Sequence, residues 1–183
     1  LYIIMFPKII WGPMVKYKDM AIQINYRDET TEKFAEGIRK FAIGLGKTVV
    51  FAGFMKHAYD HINYTYQGDM AVGLLWISAI AYTLYLYFGF SGCSDMAIGL
   101  GKMFSFDFGE NFNYPFVSKS ILEFVRRWNV SVTAWFKDYI YDSITKGKNK
   151  KGIVALATVV TMVFLVLWYR ADFKILVAGG IFI

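Results

Sequence analysis

The sequence has 183 residues, of which 56% are hydrophobic and 19% charged, with one cysteine and a net charge of +6. An ordinary soluble domain is about half apolar and about a quarter charged, so this composition indicates a membrane protein without a soluble domain. The single cysteine excludes an internal disulfide, and the positive charge is attributed to loops that face anionic lipid, with no nucleic acid as partner.

The first part of the chain predicts two helices. Residues 1–11 are apolar and end at Gly12-Pro13, which indicates a truncated transmembrane helix followed by a turn. After a polar stretch, residues 34–55 have apolar side chains three and four positions apart, which predicts a second helix. Because three cations interrupt it, this helix is expected at the membrane interface or inside a bundle of helices. The three cations are Arg39, Lys40 and Lys47.

Two motifs in this part of the chain mimic functional sites. Residues 44–48 (GLGKT) match the end of a phosphate-binding loop, but the glycine that the full motif requires is Phe41, so this interpretation fails. His57, Asp60 and His61 have a spacing that suits a metal site on a helix. A polar helix end at the water boundary explains them better, and no metal site is predicted.

Two runs without charged residues predict membrane spans. A helix needs about 20 apolar residues to cross the bilayer core. Residues 70–94 and 152–169 carry no charge, and the spans are placed at residues 70–91 and 153–169. Residues 173–183 are interpreted as a further span that is cut off, so the sequence is expected to be an internal piece of a longer protein.

The stretch between these runs, residues 95–141, is too polar to span a bilayer and too apolar to lie free in water. Residues 96–104 predict a short helix whose N-cap is Ser94 or Asp95. Polar groups next to membrane-spanning sequence are costly to bury and tend to be functional. We therefore interpret residues 95–141 as the core motif of the chain.

A second helix within this motif has a clear start. Ser120 and Glu123 form a capping box, in which each side chain bonds a backbone amide at the start of the helix. Apolar residues three and four apart between residues 117 and 139 predict one continuous apolar face. A helix on the lipid surface and a helix in the core of a bundle both fit this pattern.

The distribution of lysine and arginine predicts the orientation in the membrane. If the segments alternate, residues 12–33 and 95–151 lie on one side with 13 basic residues, and the other side carries 3. Cytoplasmic loops are enriched in basic residues, so the loop at residues 146–151 is predicted to be cytoplasmic. The chain is accordingly expected to be a multi-pass protein of the cell (plasma or inner) membrane.

Three segments carry a resemblance to a known family. They are residues 91–104 (SGCSDMAIGLGKMF), 110–116 (ENFNYPF) and 126–141 (RRWNVSVTAWFKDYIY). In this order they resemble the membrane-bound O-acyltransferase superfamily, in particular its alginate O-acetylation branch. The resemblance implies an all-α, multi-pass membrane protein, a bundle of transmembrane helices with an interposed amphipathic or re-entrant helical segment.

The resemblance also implies a site. The family has histidines in R-R-W-H and W-H-G-A motifs, and this chain has Asn129 and Tyr169 at those positions. An acyl thioester or an acyl-carrier protein is implied as donor, membrane lipids and polysaccharide-modifying proteins as partners, and no bound cofactor or metal. The other residues at the family's polar, pocket-forming positions are Asp95, Glu110, Asn111, Arg126, Arg127, Trp128, Trp135, Asp138 and Trp168.

Two functions from different classes follow. The first is an O-acyltransferase that moves an acetyl group to a hydroxyl of an extracytoplasmic polysaccharide, with impaired activity because both histidines are replaced. The second is a catalytically inactive relative that acts as a membrane scaffold or partner-binding subunit. A transporter is disfavoured, because the sequence shows no pair of interrupted helices in repeated halves.

Overall fold

A computed structural model describes residues 2, 5, 12–66, 70–147 and 150–169, with the backbone alone at residue 169. All regular secondary structure in these ranges is helical, which confirms the all-α class. Apart from residues 2 and 5, the predicted apolar segments 1–11 and 173–183 lie outside the described residues. The chain forms two compact units, Leu1–Asn111 and Phe112–Ile183. The single membrane domain expected over the whole chain stays a prediction.

Four α-helices lie in the described residues of the first unit. They are α1 (Tyr17–Asn25), α2 (Thr31–Gly46), α3 (Gly53–Thr65) and α4 (Val72–Met103), with a π-helical segment, Lys47–Ala52, joining α2 to α3. The N-cap of α2 is Thr30, whose hydroxyl accepts a hydrogen bond from the Lys33 amide at 3.2 Å. At the π-helical segment, the Thr48 hydroxyl donates to the Gly44 carbonyl at 3.0 Å. Such bonds compete with the backbone ladder and often bend helices.

Helix α4 is longer than the sequence predicted. It runs for 32 residues without interruption, about 48 Å at ~1.5 Å per residue. The expected break before a short helix at residues 96–104 is therefore wrong, and neither Ser94 nor Asp95 is an N-cap. Asp95 lies inside α4 because lysines of the α2 side supply the partners that its carboxylate needs.

Helices α2 and α4 meet along two pairs of glycines. Gly37 lies against Gly99, and Gly44 lies against Gly92. A Cβ atom on Gly37 would come within 2.7 Å of the Gly99 carbonyl oxygen, and one on Gly44 within 2.6 Å of the Gly92 oxygen. Small residues let helix backbones approach this closely, as is common between helices in membranes. The close approach brings the polar side chains of α2 within reach of α4.

A small hydrophobic core lies at the end of this helix pair. Its buried members are Met5, Met20, Ile98, Phe106 and Phe108. The core therefore joins α1, the last turns of α4 and the chain that follows α4. It fixes the position of the segment that leads to Glu110 and Asn111.

The described residues of the second unit form a 3₁₀ turn, four α-helices and another π-helical segment. In chain order these are Pro115–Val117 (3₁₀), α5 (Ile121–Arg127), α6 (Val130–Phe136), Lys137–Tyr141 (π), α7 (Asp142–Thr145) and α8 (Lys151–Tyr169). The predicted N-cap, Ser120, starts α5, but the Glu123 carboxylate bonds the amide of the residue before the cap and not the cap amide that the capping box predicts. The Ser120 hydroxyl accepts from the Glu123 amide at 3.2 Å, and the Glu123 carboxylate accepts from the Lys119 amide at 3.0 Å.

The continuous apolar helix predicted between residues 117 and 139 is wrong. The helix breaks at Trp128, which is extended, and Asn129, which is left-handed with φ 46°. The Trp128 ring packs against the rings of Phe112, Phe116 and Phe124, with centroids 5.3 to 6.5 Å apart. The apolar residues that would form one face of a continuous helix pack together in this aromatic cluster instead. The apolar spacing is therefore present although the helix is interrupted.

Within the part of the chain that the structure describes, two helices are long and apolar enough to cross a membrane. These are α4 and, in α8, Lys151–Trp168. In both helices only a small part of the most apolar stretch is buried within the protein. Apolar side chains that remain uncovered over such lengths agree with a protein embedded in lipid.

Candidate functional site

A buried ionic cluster in the first unit contains the first predicted site residue. Asp95, 6% exposed, lies on α4 and faces two lysines of the α2 side. One carboxylate oxygen is 3.2 Å from the Lys40 ammonium, and the other is 2.6 Å from the Lys47 ammonium. Lys47 also donates to the Ser91 hydroxyl at 3.2 Å. Because two lysine ammonium groups pair with one carboxylate, we interpret this cluster as an ionic contact that holds α2 against α4.

Glu110 joins this cluster from the segment after α4. Both of its carboxylate oxygens accept from the Lys40 ammonium at 2.7 Å. Asn111, the next residue, is buried. Lys40 therefore brings together Asp95 and Glu110, two residues that the resemblance placed at a site.

Sequence reasoning missed the two lysines at the centre of this cluster. Lys40 and Lys47 were interpreted only as interruptions of an apolar helix. The signal was their spacing, since each lies three residues after a glycine and the two glycines are also seven residues apart. A repeat of seven places all four residues on neighbouring parts of one helix surface.

Arg127 holds the second unit together. Its guanidinium pairs with Glu123 at 2.8 Å and donates to the Asn113 carbonyl at 3.3 Å. The Asn113 amide donates in return to the Arg127 carbonyl at 3.0 Å. The Lys119 amide first, and then Arg127, hold the pKa of Glu123 below its ordinary value. The Arg127 guanidinium is therefore occupied by contacts within the second unit.

Asn129, at one of the two family histidine positions, forms the turn between α5 and α6. It is half-buried, and its φ of 46° lies in the left-handed region. Asparagine, aspartate and histidine adopt this region more readily than other non-glycine residues. The backbone at this position therefore accepts a histidine as well as the asparagine that is present.

The remaining predicted residues lie on α6, the following π-helical segment and α8. Trp135 is half-buried and packs against Phe136 and Tyr139. Asp138 is half-buried within the π-helical segment, and such segments occur often at functional sites. Trp168 meets the ring of Phe136 edge-on, with centroids 6.1 Å apart. Tyr169 is the last residue of α8, and its side chain lies outside the described residues.

A cavity of about 360 Å³ in the second unit is lined by α5, α6, the π-helical segment Lys137–Tyr141 and α8. Arg126 lines it, whereas Arg127 and Asn129 do not. The structure thus brings Asp95 and Glu110 together through Lys40 in the first unit, whereas the predicted residues of the second unit have separate contacts. Among the described residues, no three side chains that commonly bind metals converge, and Asp60 pairs with Lys56.

Comparison with known proteins identifies the family. A family model described as the membrane-bound O-acyltransferase family, MBOAT, matches residues 1–168. The chain belongs to this family. The MBOAT assignment confirms the resemblance carried by the three motifs, and it makes this chain part of a membrane protein.

Three curated relatives show how this MBOAT chain compares with named proteins. It is 41% identical to the probable alginate O-acetylase AlgI of Pseudomonas aeruginosa over 98% of this chain and 34% of that protein. It is 32% identical to the peptidoglycan O-acetyltransferase of Helicobacter pylori over 98% of this chain and 34% of that protein. It is 31% identical to the teichoic acid D-alanyltransferase of Bacillus subtilis over 82% of this chain and 38% of that protein. The chain thus spans about a third of the length of these MBOAT relatives.

Proposed function

We propose that the protein containing this chain is an O-acyltransferase that moves an acetyl group to a hydroxyl of an extracytoplasmic polysaccharide. The observation that supports this most strongly is the 41% identity to an alginate O-acetylase over nearly the whole chain. The relatives are named as an O-acetylase, an O-acetyltransferase and a D-alanyltransferase, which favours acyl transfer over a scaffold without activity.

The proposal includes a position in the membrane. The protein is a multi-pass protein of the inner membrane, with an interposed amphipathic or re-entrant segment and the loop at residues 146–151 in the cytoplasm. Two candidate spans support this, together with the excess of lysine and arginine in residues 12–33 and 95–151. The acyl donor is a thioester or an acyl-carrier protein, and polysaccharide-modifying proteins are its partners.

The residues at the two family histidine positions determine the expected rate. Acyl transfer to a hydroxyl needs a base that removes the proton, and histidine titrates in the range that suits this role. The Asn129 amide does not accept a proton usefully, and a tyrosine hydroxyl in water loses its proton only near pH ~10. A missing general base typically costs about 10²–10⁴-fold in rate. We therefore propose slow transfer. The remaining rate would come from binding the donor and the acceptor side by side, which itself lowers the barrier.

An experiment in cells tests this function. Deleting the gene is expected to lower the O-acetyl ester content of the envelope polysaccharide, measured by proton NMR and by alkaline release of acetate. The full-length gene should restore the esters, whereas the same gene with a frameshift after the codon for Asp95 should not. If the ester content is unchanged by deletion while the protein is present in wild-type membranes, the proposed activity is wrong and the scaffold is favoured.

A further inference from the structure

We propose that the cavity of the second unit binds an anionic phospholipid, with its phosphate on Arg126 and an acyl chain along α8. This goes beyond the proposed acyl transfer, because it assigns Arg126, a residue at one of the family's pocket-forming positions, to a bound lipid. The side chains that line the cavity come from α5, α6, the second π-helical segment and α8. They are Leu122, Val125, Arg126, Thr133, Lys137, Tyr141, Val154, Thr158, Thr161, Met162 and Leu165.

Arg126 supplies the charge that selects an anion. Its guanidinium makes no ion pair or hydrogen bond with another described residue, in contrast to that of its neighbour Arg127, which is bound to Glu123 and Asn113. Lys137 is the second cation of the cavity, and its ammonium is 3.1 Å from the exposed carboxylate of Asp142. The cavity therefore has one guanidinium without a counter-ion among the described residues and a second cation whose pairing is weakened by water. An arginine presents a planar set of donors that suits a phosphate group.

Three of the four hydroxyl groups on the cavity walls, those of the threonines, already donate to backbone carbonyls of the protein, and Tyr141 carries the fourth. Thr158 donates to the Val154 carbonyl at 2.9 Å, and Thr161 donates to the Ala157 carbonyl at 2.6 Å. Thr133 donates to the Val125 carbonyl at 3.1 Å. With their hydroxyls bonded in this way, the threonines offer few free polar groups to a ligand, and most of the other residues of the walls are apolar. A sugar, which needs many polar partners, fits such walls poorly, whereas a ligand with one anionic group and a hydrocarbon chain fits them well.

The position of the cavity on α8 favours a lipid over a soluble anion. Val154 and Leu165 mark the ends of its wall on this helix, a distance of about 16 Å at ~1.5 Å per residue. Helix α8 is a candidate membrane span with little of its surface buried, so hydrocarbon chains of the bilayer have access to this wall. Basic pockets beside transmembrane helices are known to bind the headgroups of anionic lipids.

The test uses the full-length protein in nanodiscs that contain phosphatidylglycerol or phosphatidylcholine, with retained lipid counted by native mass spectrometry. Wild type should retain phosphatidylglycerol in preference to phosphatidylcholine. Arg126→Gln should reduce this preference about fivefold, the effect of removing one basic residue at a lipid surface. Arg126→Lys should keep most of it. The control is Lys119→Gln, which removes the same charge from an exposed position of the same unit outside the cavity, and should change the preference less than about twofold.

A second variant keeps the test independent of the charge. Thr158→Phe should fill the cavity and lower the number of retained phosphatidylglycerol molecules by about one, provided that the variant elutes as wild type from a sizing column. If Arg126→Gln retains phosphatidylglycerol as wild type does, or if phosphatidylcholine is retained equally well, the proposal is wrong. It is also wrong if acetyl-coenzyme A displaces the retained lipid, because the cavity would then belong to the acyl donor. Ester content in cells reports on the acyl transfer separately.

Discussion

Asp95→Leu is expected to destabilise the full-length protein by about 2–3 kcal/mol, less than the ~3–5 kcal/mol of a fully buried ion pair, because Lys40 and Lys47 are only partly buried. The substitution leaves Lys47 with only the Ser91 hydroxyl as a described side-chain partner. Lys40 keeps Glu110. The loss should appear as a lower midpoint of thermal unfolding in detergent, followed by tryptophan fluorescence.

A double variant distinguishes the loss of a charge partner from simple damage to packing. Asp95→Leu with Lys47→Met replaces the pair by apolar side chains, and such replacements are often neutral or stabilising. Most of the lost stability should therefore return. A double variant as unstable as Asp95→Leu, or a single variant within about 1 kcal/mol of wild type, would contradict this account of the cluster.

Gly92→Ala is expected to separate α2 from α4 and to lower stability by about 1–3 kcal/mol or more. A Cβ atom at this position would lie 2.7 Å from the Gly44 carbonyl oxygen and 3.0 Å from the Thr48 amide nitrogen. Both atoms belong to the backbone of the facing helical segment, so neither can move away alone. The same thermal measurement in detergent reports the effect.

Gly89 provides the matched control, one turn earlier in the same helix. A Cβ atom there meets nothing within 4 Å. Glycine inside a helix lowers stability by roughly 0.5–1 kcal/mol relative to alanine, so Gly89→Ala should leave the stability of the protein unchanged or raise it. Equal losses from Gly89→Ala and Gly92→Ala would show that the glycine contact between α2 and α4 does not determine this helix pair.

The sequence predicted the elements whose signals are local. The cap at Ser120 and the two charge-free runs each depend on residues within a few turns of one another. The continuity of α4 through Asp95 depends instead on Lys47, which is 48 positions away in the sequence. No local pattern contains that contact, so the sequence alone predicts Ser94 or Asp95 as the N-cap of a new short helix.

The break at Asn129 could not be predicted for a different reason. The apolar spacing continues across it, because the residues that would form one helical face form an aromatic cluster instead. The candidate site itself came from the resemblance, and the sequence could not show that Arg126 and Arg127 serve different purposes. That difference arises from the turn at Trp128 and from the contact of Arg127 with Asn113.

The most direct test of the proposed function is acetyl transfer by membranes that contain the full-length protein. Radiolabelled acetyl-coenzyme A and soluble cell extract would supply the donor, and ester formed on the polysaccharide would be counted. We expect slow transfer by the wild type and at least about a tenfold increase for Tyr169→His with Asn129→His, since a restored general base contributes about 10²–10⁴-fold. The left-handed turn at Asn129 accepts histidine. Rapid transfer by the wild type that Tyr169→Phe leaves unchanged, or no transfer by either form, would contradict the account.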